Sequence, residues 1–186
     1  MYSNKKICVF CSSSNLINEN YLKEAENLGI MMAKNNIISV NGGGVDDQGS
    51  MARMNEAIYK NNGKNISVIH EIWIDKNNYK KHKWLSEEIV LKGKDLSDRK
   101  KIMRDKSDAF IILPGGTGTI DELMEIIELK KSGFFKKNIY IVNTNHFFDP
   151  IINFLLSLKK NNFMKQYIKD LVYIVKDVNE LGKLIL

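Results

Sequence analysis

Short apolar runs alternate with longer amphipathic stretches along this 186-residue chain. Six runs of four or five mostly apolar residues read as strands: Lys6–Phe10, Ile37–Val40, Ile66–Ile69, Ala109–Leu113, Ile139–Val142 and Val172–Val175. Their nearly continuous hydrophobicity is the pattern of strands covered on both faces. Between and after them lie segments with helical spacing: Glu19–Lys34, Ser50–Lys60, Asp98–Lys106, Thr119–Lys131, Pro150–Lys160 and Val178–Leu186. Residues Trp73–Lys94 read instead as an irregular, charged excursion. Alternation of this kind dictates a parallel sheet, because consecutive parallel strands need a long crossover, usually a helix. The expected fold is α/β, a doubly wound parallel sheet of Rossmann-like type, in one domain over residues 1–186.

Composition narrows the function classes. A chain of this length with 44% hydrophobic residues can bury a substantial core. No apolar run approaches the roughly 20 residues of a membrane span, and the N-terminus lacks a signal-peptide pattern. A soluble, cytoplasmic protein with no membrane contact is expected. The net charge is +6, with basic clusters at Lys76–Lys83, Lys92–Arg104 and Lys130–Lys137. These runs lack interleaved aromatic platforms, so they read as solvated surface, not as a nucleic-acid interface. Cys8 and Cys11 are spaced C-x-x-C, but in an apolar run, where residues three apart point to opposite faces. They read as buried, reduced thiols. His70, His82 and His146 show no ligand spacing, and no metal site is expected.

Ligands of a doubly wound sheet bind at the carboxyl ends of its strands. Here Ser12-Ser13-Ser14 follows the first run, Asn41-Gly42-Gly43-Gly44 the second and His70-Glu71 the third. The fourth is followed by Pro114-Gly115-Gly116-Thr117-Gly118-Thr119-Ile120-Asp121-Glu122. Its glycines let backbone N–H groups approach a ligand, and the helix that follows presents the positive end of its dipole. Thr117 and Thr119 add hydroxyl donors. Glu122 is expected in the first turn, so a phosphate cradle would stand beside a carboxylate.

Further residues carry a resemblance. Asp98-Arg99-Lys100-Lys101-Ile102-Met103, Ser107-Asp108-Ala109-Phe110 and the glycine loop together resemble the LOG family, nucleoside monophosphate phosphoribohydrolases often mislabelled lysine decarboxylases. The opening Cys8-Val9-Phe10-Cys11-Ser12-Ser13-Ser14, the Gly42-Gly43-Gly44 run, Gly49-Ser50-Met51 and Glu71-Ile72 are similar to the family pattern too. The loop Val45-Asp46-Asp47-Gln48 is more acidic than the family's. No segment resembles a pyridoxal-phosphate lysine site.

The resemblance implies hydrolysis of the N-glycosidic bond of a nucleoside 5′-monophosphate, a cytokinin riboside monophosphate or an AMP-like nucleotide, to free base and ribose 5-phosphate. It implies Arg99 and Glu122 as catalytic residues. It implies substrate binding by Ser13, Gly43, Glu71, Lys100, Gly115, Gly116, Thr117, Gly118 and Thr119, with no metal or organic cofactor. A carboxylate suits stabilisation of the cationic ribose that forms as the bond breaks, and a guanidinium suits an anionic group or the leaving base. Neither Arg99 nor Glu122 occupies an apolar position, so replacing them is expected to leave the fold intact. The alternative is a nucleotide-binding sensor of the same fold that does not turn its ligand over. The family resemblance also implies a homodimer. Leu123, Met124, Ile126 and Ile127 span more than one narrow helix face, and Ile102 and Met103 are expected to join that face.

Overall fold

The computed structural model describes residues 4–43, 48–74, 83–93 and 95–186. Among these, seven strands are β1 (Lys6–Phe10), β2 (Ile38–Asn41), β3 (Asn65–His70), β4 (Glu87–Leu91), β5 (Ala109–Ile112), β6 (Asn138–Val142) and β7 (Tyr173–Val175). The helices are α1 (Glu19–Lys34), α2 (Gly49–Lys60), α3 (Ser97–Asp105), α4 (Thr117–Lys131), α5 (Asp149–Lys160) and α6 (Val178–Ile185). All strand pairs are parallel, in the order β4-β3-β2-β1-β5-β6-β7. The order reverses between β1 and β5, where Phe10 lies beside Ile112. Crevices in such sheets open at that reversal, beyond the carboxyl ends of the strands.

Two apolar layers sandwich the sheet. Cys8, Phe10, Phe110 and Ile112 point to one side, against Met103 of α3, Leu123, Ile126 and Ile127 of α4, and Leu155 of α5. Ile7, Val9, Ala109 and Ile111 point to the other, against Leu28 and Met32 of α1, Met54 and Ile58 of α2, and Leu181 of α6. Alternate residues of one strand therefore feed opposite layers, as strand geometry requires. Cys8 and Cys11 fall in different layers, both buried and unbridged. Burial pushes the pKa of both thiols up, Cys8 well above 9.0.

Three expectations need correcting. β4 lies within the segment read as irregular; it is an edge strand, with Ile89 and Leu91 half-buried and Val90 exposed, so its hydrophobic signal is weak. Helix α4 begins at Thr117, not Thr119, which moves Glu122 from the first turn to the second. Met103 is fully buried in the core and cannot contribute to an exposed face. The Asp46-Asp47 loop, Gly44 and His82 lie outside the described residues. Among the described residues no helix is long and apolar enough to cross a membrane.

Candidate active site

A cleft of about 450 Å³ opens where the strand order reverses. Cys11, Ser12, Ser13 and Ser14 after β1, Gly42 after β2, and Gly116, Thr117, Gly118 and Thr119 after β5 contribute to its walls. Helix α3 adds Arg99 and Lys100, and α4 adds Asp121 and Glu122. Met51, Trp73 and Leu96 supply apolar surface.

The glycine loop ends a buried strand and starts a helix almost without transition. Gly116 is the N-cap of α4, and no side chain caps the helix there. The first N–H groups of a helix have no partner within it, so Thr117, Gly118 and Thr119 present donors and the positive end of the dipole together. Gly116, Thr117 and Gly118 are exposed, whereas Thr119 is buried. Gly115 does not line the cleft, but any side chain there would collide with the Thr119 hydroxyl. Across the cleft, the Ser12 hydroxyl accepts the Ser14 N–H at 3.0 Å, which curls the chain after β1.

Arg99 and Glu122 meet deep in the cleft, with an Nη1 to Oε1 distance of 3.5 Å. Their local sequences explain the encounter. Arg99 and Met103 form the buried stripe of the short helix α3 at i, i+4 spacing, so a guanidinium takes a position normally apolar. Glu122 flanks the buried stripe of Thr119, Leu123, Ile126 and Ile127 on α4. Arg99 is 8% exposed, and its Nε donates to the Val68 carbonyl of β3 at 2.8 Å. Its guanidinium lies over the Trp73 ring, 4.9 Å from the centroid. A Cβ on Gly42 would collide with the guanidinium, so a side chain there would push Arg99 out of place.

Burial pushes the Glu122 carboxyl up from 4.5 to about 7; Arg99 pulls it down, but not enough to offset the loss of water. Burial also lowers the Arg99 pKa, while Glu122 supports its charge. Arg99 nonetheless stays a cation, as guanidinium groups do in proteins. The burial corrects the expectation that Arg99 is replaceable at no cost to the fold: removing it breaks three contacts at once.

The other expected site residues divide. Ser13, Lys100, Gly116, Thr117, Gly118 and Thr119 line the cleft together with Arg99 and Glu122. Lys100 faces α4, with Nζ 3.0 Å from Asp121 and 2.6 Å from Glu125. Burial lowers its pKa, but these carboxylates outweigh that and hold it above the usual value. Gly43 and Glu71 are not among the lining residues. Gly43 stands behind the wall, its N–H donated to Asn41 Oδ1 at 2.9 Å. Asn41 exchanges amide hydrogen bonds with Asn55, which also donates to the Gly43 carbonyl. This buried amide cluster holds the glycine turn and escaped the sequence reading, because its members are scattered along the chain. Glu71 opens a short 3-10 turn, Glu71–Trp73, and it is Trp73 that lines the cleft. The only sequence signal for Trp73 is an aromatic residue just past a strand end.

Sheet order and cleft position define the class: a doubly wound, Rossmann-like α/β protein with a cleft at the topological switch point. A family model described as "Possible lysine decarboxylase" matches residues 51–185. An Arabidopsis thaliana protein named cytokinin riboside 5′-monophosphate phosphoribohydrolase is 30% identical over 182 residues, 96% of this chain and 81% of that protein. An Oryza sativa subsp. japonica protein named as a probable enzyme of the same kind is 30% identical over 180 residues, 95% of this chain and 70% of that one. The chain belongs to this family, the LOG family. The fold is shared with the Moco carrier protein of Chlamydomonas reinhardtii, with a TM-score of 0.69 at 20% identity over 97% of this chain and 94% of that one.

Proposed function

We propose that the chain hydrolyses the N-glycosidic bond of a nucleoside 5′-monophosphate, releasing the free base and ribose 5-phosphate. The observation that carries this reading is the buried Arg99–Glu122 pair, set one helical turn from an uncapped helix N-terminus in the same cleft. The amides of Thr117, Gly118 and Thr119 and the hydroxyls around them suit a 5′-phosphate. Gly118 and Glu122 are separated by about 6 Å along the helix axis, a length that a ribose spans. Phosphate binding would then deliver the sugar to the carboxylate.

As the C1′–N bond lengthens, positive charge develops on the ribose. An ionised Glu122 stabilises that charge and can take the proton of an attacking water. The water oxygen bonds to C1′, the bond electrons leave with the base, and the proton taken by Glu122 passes to the base, restoring the carboxylate. A carboxyl titrating near neutrality suits proton exchange at physiological pH. Arg99 keeps a positive charge beside Glu122 that favours its ionised form and faces the leaving base. The relatives' names support a nucleotide substrate of this kind with a cytokinin base; an AMP-like nucleotide is the other candidate.

Incubation with a panel of nucleoside 5′-monophosphates and chromatographic detection of free base tests the proposal. Release of base and ribose 5-phosphate in equal amounts is expected. Tight nucleotide binding without release would leave the sensor reading in its place.

A further inference from the structure

The cleft lining combines two chemistries: the helix N-terminus with the threonine and serine hydroxyls, and the apolar surface of Trp73, Leu96 and Met51. Trp73 is 43% exposed, an indole left partly in water on the wall of a cleft. It is nonetheless held on two sides. Arg99 lies over the ring, and the buried His70 ring meets it edge-on, with centroids 6.2 Å apart and planes 76° apart. His70 Nδ1 accepts the Ile72 N–H at 3.2 Å, which fastens the turn carrying Trp73 to the end of β3. An aromatic ring fixed before a ligand arrives loses little freedom on binding, so its exposed surface is well suited to a flat partner.

We infer that Trp73 is the platform on which the base of the substrate stacks, which makes it a specificity-determining residue favouring purine over pyrimidine. The inference rests on the proposed nucleotide reading of the same cleft. With phosphate at the α4 N-terminus and the sugar at Glu122, the base departs from C1′ toward Arg99. Arg99 bridges the distance, 3.5 Å from Glu122 on one side and 4.9 Å from the Trp73 ring centroid on the other. A base leaving C1′ in that direction reaches the indole. Stacking tolerates any base because each has a π-face, and a larger ring system overlaps more area. Neither Arg99 nor Glu122 supplies this preference, since both act on charge.

The test compares AMP, UMP and ribose 5-phosphate, the last carrying the same phosphate and sugar with no base. Trp73→Ala should raise the KM for AMP by roughly ten- to a hundredfold and that for UMP by less. Inhibition by ribose 5-phosphate should be unchanged, and Trp73→Phe should recover most of the loss. A direct readout is fluorescence. The chain has two tryptophans, and Trp84 lines a separate hollow with Gly49 and Arg53. In a Trp84→Phe protein, AMP should quench the emission of Trp73 and ribose 5-phosphate should not. If that variant fails to fold, the difference between native and Trp73→Phe emission reads the same ring. Quenching by AMP without base release removes the hydrolase reading and leaves the platform standing. The platform is overturned if no nucleotide alters the emission. It is also overturned if Trp73→Ala lowers kcat equally for AMP and UMP while weakening ribose 5-phosphate inhibition, because the ring then only holds Arg99.

Discussion

Among the described residues, the cleft at β1 and β5 can be set beside a second hollow on the carboxyl rim, at the ends of β6 and β7. The second is the larger, about 730 Å³ against about 450 Å³, and is lined by Asn143, Thr144, Asn145, His146 and Asp177 among others. Its carboxylates serve the backbone. Glu24 accepts the Val178 N–H at 2.9 Å, Asp177 caps α6 through the Glu180 N–H, and Glu180 accepts the Lys176 N–H. In the cleft, by contrast, Glu122 is drawn out of water beside one cation 3.5 Å away, and the helix N-terminus there has no cap. The comparison teaches that volume is a poor guide to chemistry. Desolvated charge and unfilled donors mark the cleft, while the carboxylates of the larger hollow are already engaged in holding the fold.

The sharpest way to break this contrast is substitution on both sides. Glu122→Gln and Arg99→Lys should each lower base release by about a hundredfold or more, since each removes a group acting on developing charge. His146→Ala and Lys176→Ala in the larger hollow should change kcat/KM by no more than about twofold. Thermal melts must accompany the Arg99 variant, because burial gives it a structural role too. Comparable losses from the two hollows would erase the distinction.

Phosphate provides the next test. AMP should be cleaved at least about tenfold more efficiently than adenosine, because the α4 N-terminus converts phosphate binding into ribose positioning. Equal efficiencies would detach the helix N-terminus from the reaction.

The buried carboxylate also predicts two pH effects. If Glu122 works as the anion, kcat/KM should rise with pH to a plateau above about 7, and Glu122→Gln should lose that limb. Stability should run the opposite way. Folding raises this pKa from 4.5 to about 7, so between those values the native state binds more protons than the unfolded chain. The stabilisation is full below 4.5 and is lost as pH rises through 7. The difference amounts to roughly 3 kcal/mol at most. Denaturation at pH 5 and pH 8 should therefore show Glu122→Gln gaining stability relative to the native chain at the higher pH. A constant difference between the two proteins would contradict the burial of this charge.

The smallest expected effect concerns assembly. Ile102, Ile120, Met124, Ile151 and Ile152 remain half-buried on the layer that carries α3, α4 and α5. A homodimer would cover such a face, and light scattering at micromolar concentration should then report about twice the chain mass of 21.4 kDa. A fully active monomer would separate the cleft chemistry from any shared interface.

Local pattern carried most of the fold. The helix Glu19–Lys34 and the strand Lys6–Phe10 were legible to the residue, and no other end moved by more than two positions, because buried periodicity is written in neighbouring residues. The edge strand β4 was not legible, since half of its surface faces water and its hydrophobic alternation is diluted. In the site, the glycine loop followed from spacing, and Arg99 and Glu122 were singled out by the family motif, but their meeting was not. The rest came only with the tertiary structure. Trp73 meets Arg99 because β3 ends beside α3, and Asn41 meets Asn55 because β2 lies against α2. What the sequence by itself determined was the order of the six helices and of every strand but β4, and the residue types at those strand ends. Only the folded chain decided which side chains lost their water, and that loss is what turns an ordinary carboxyl into one poised near neutrality.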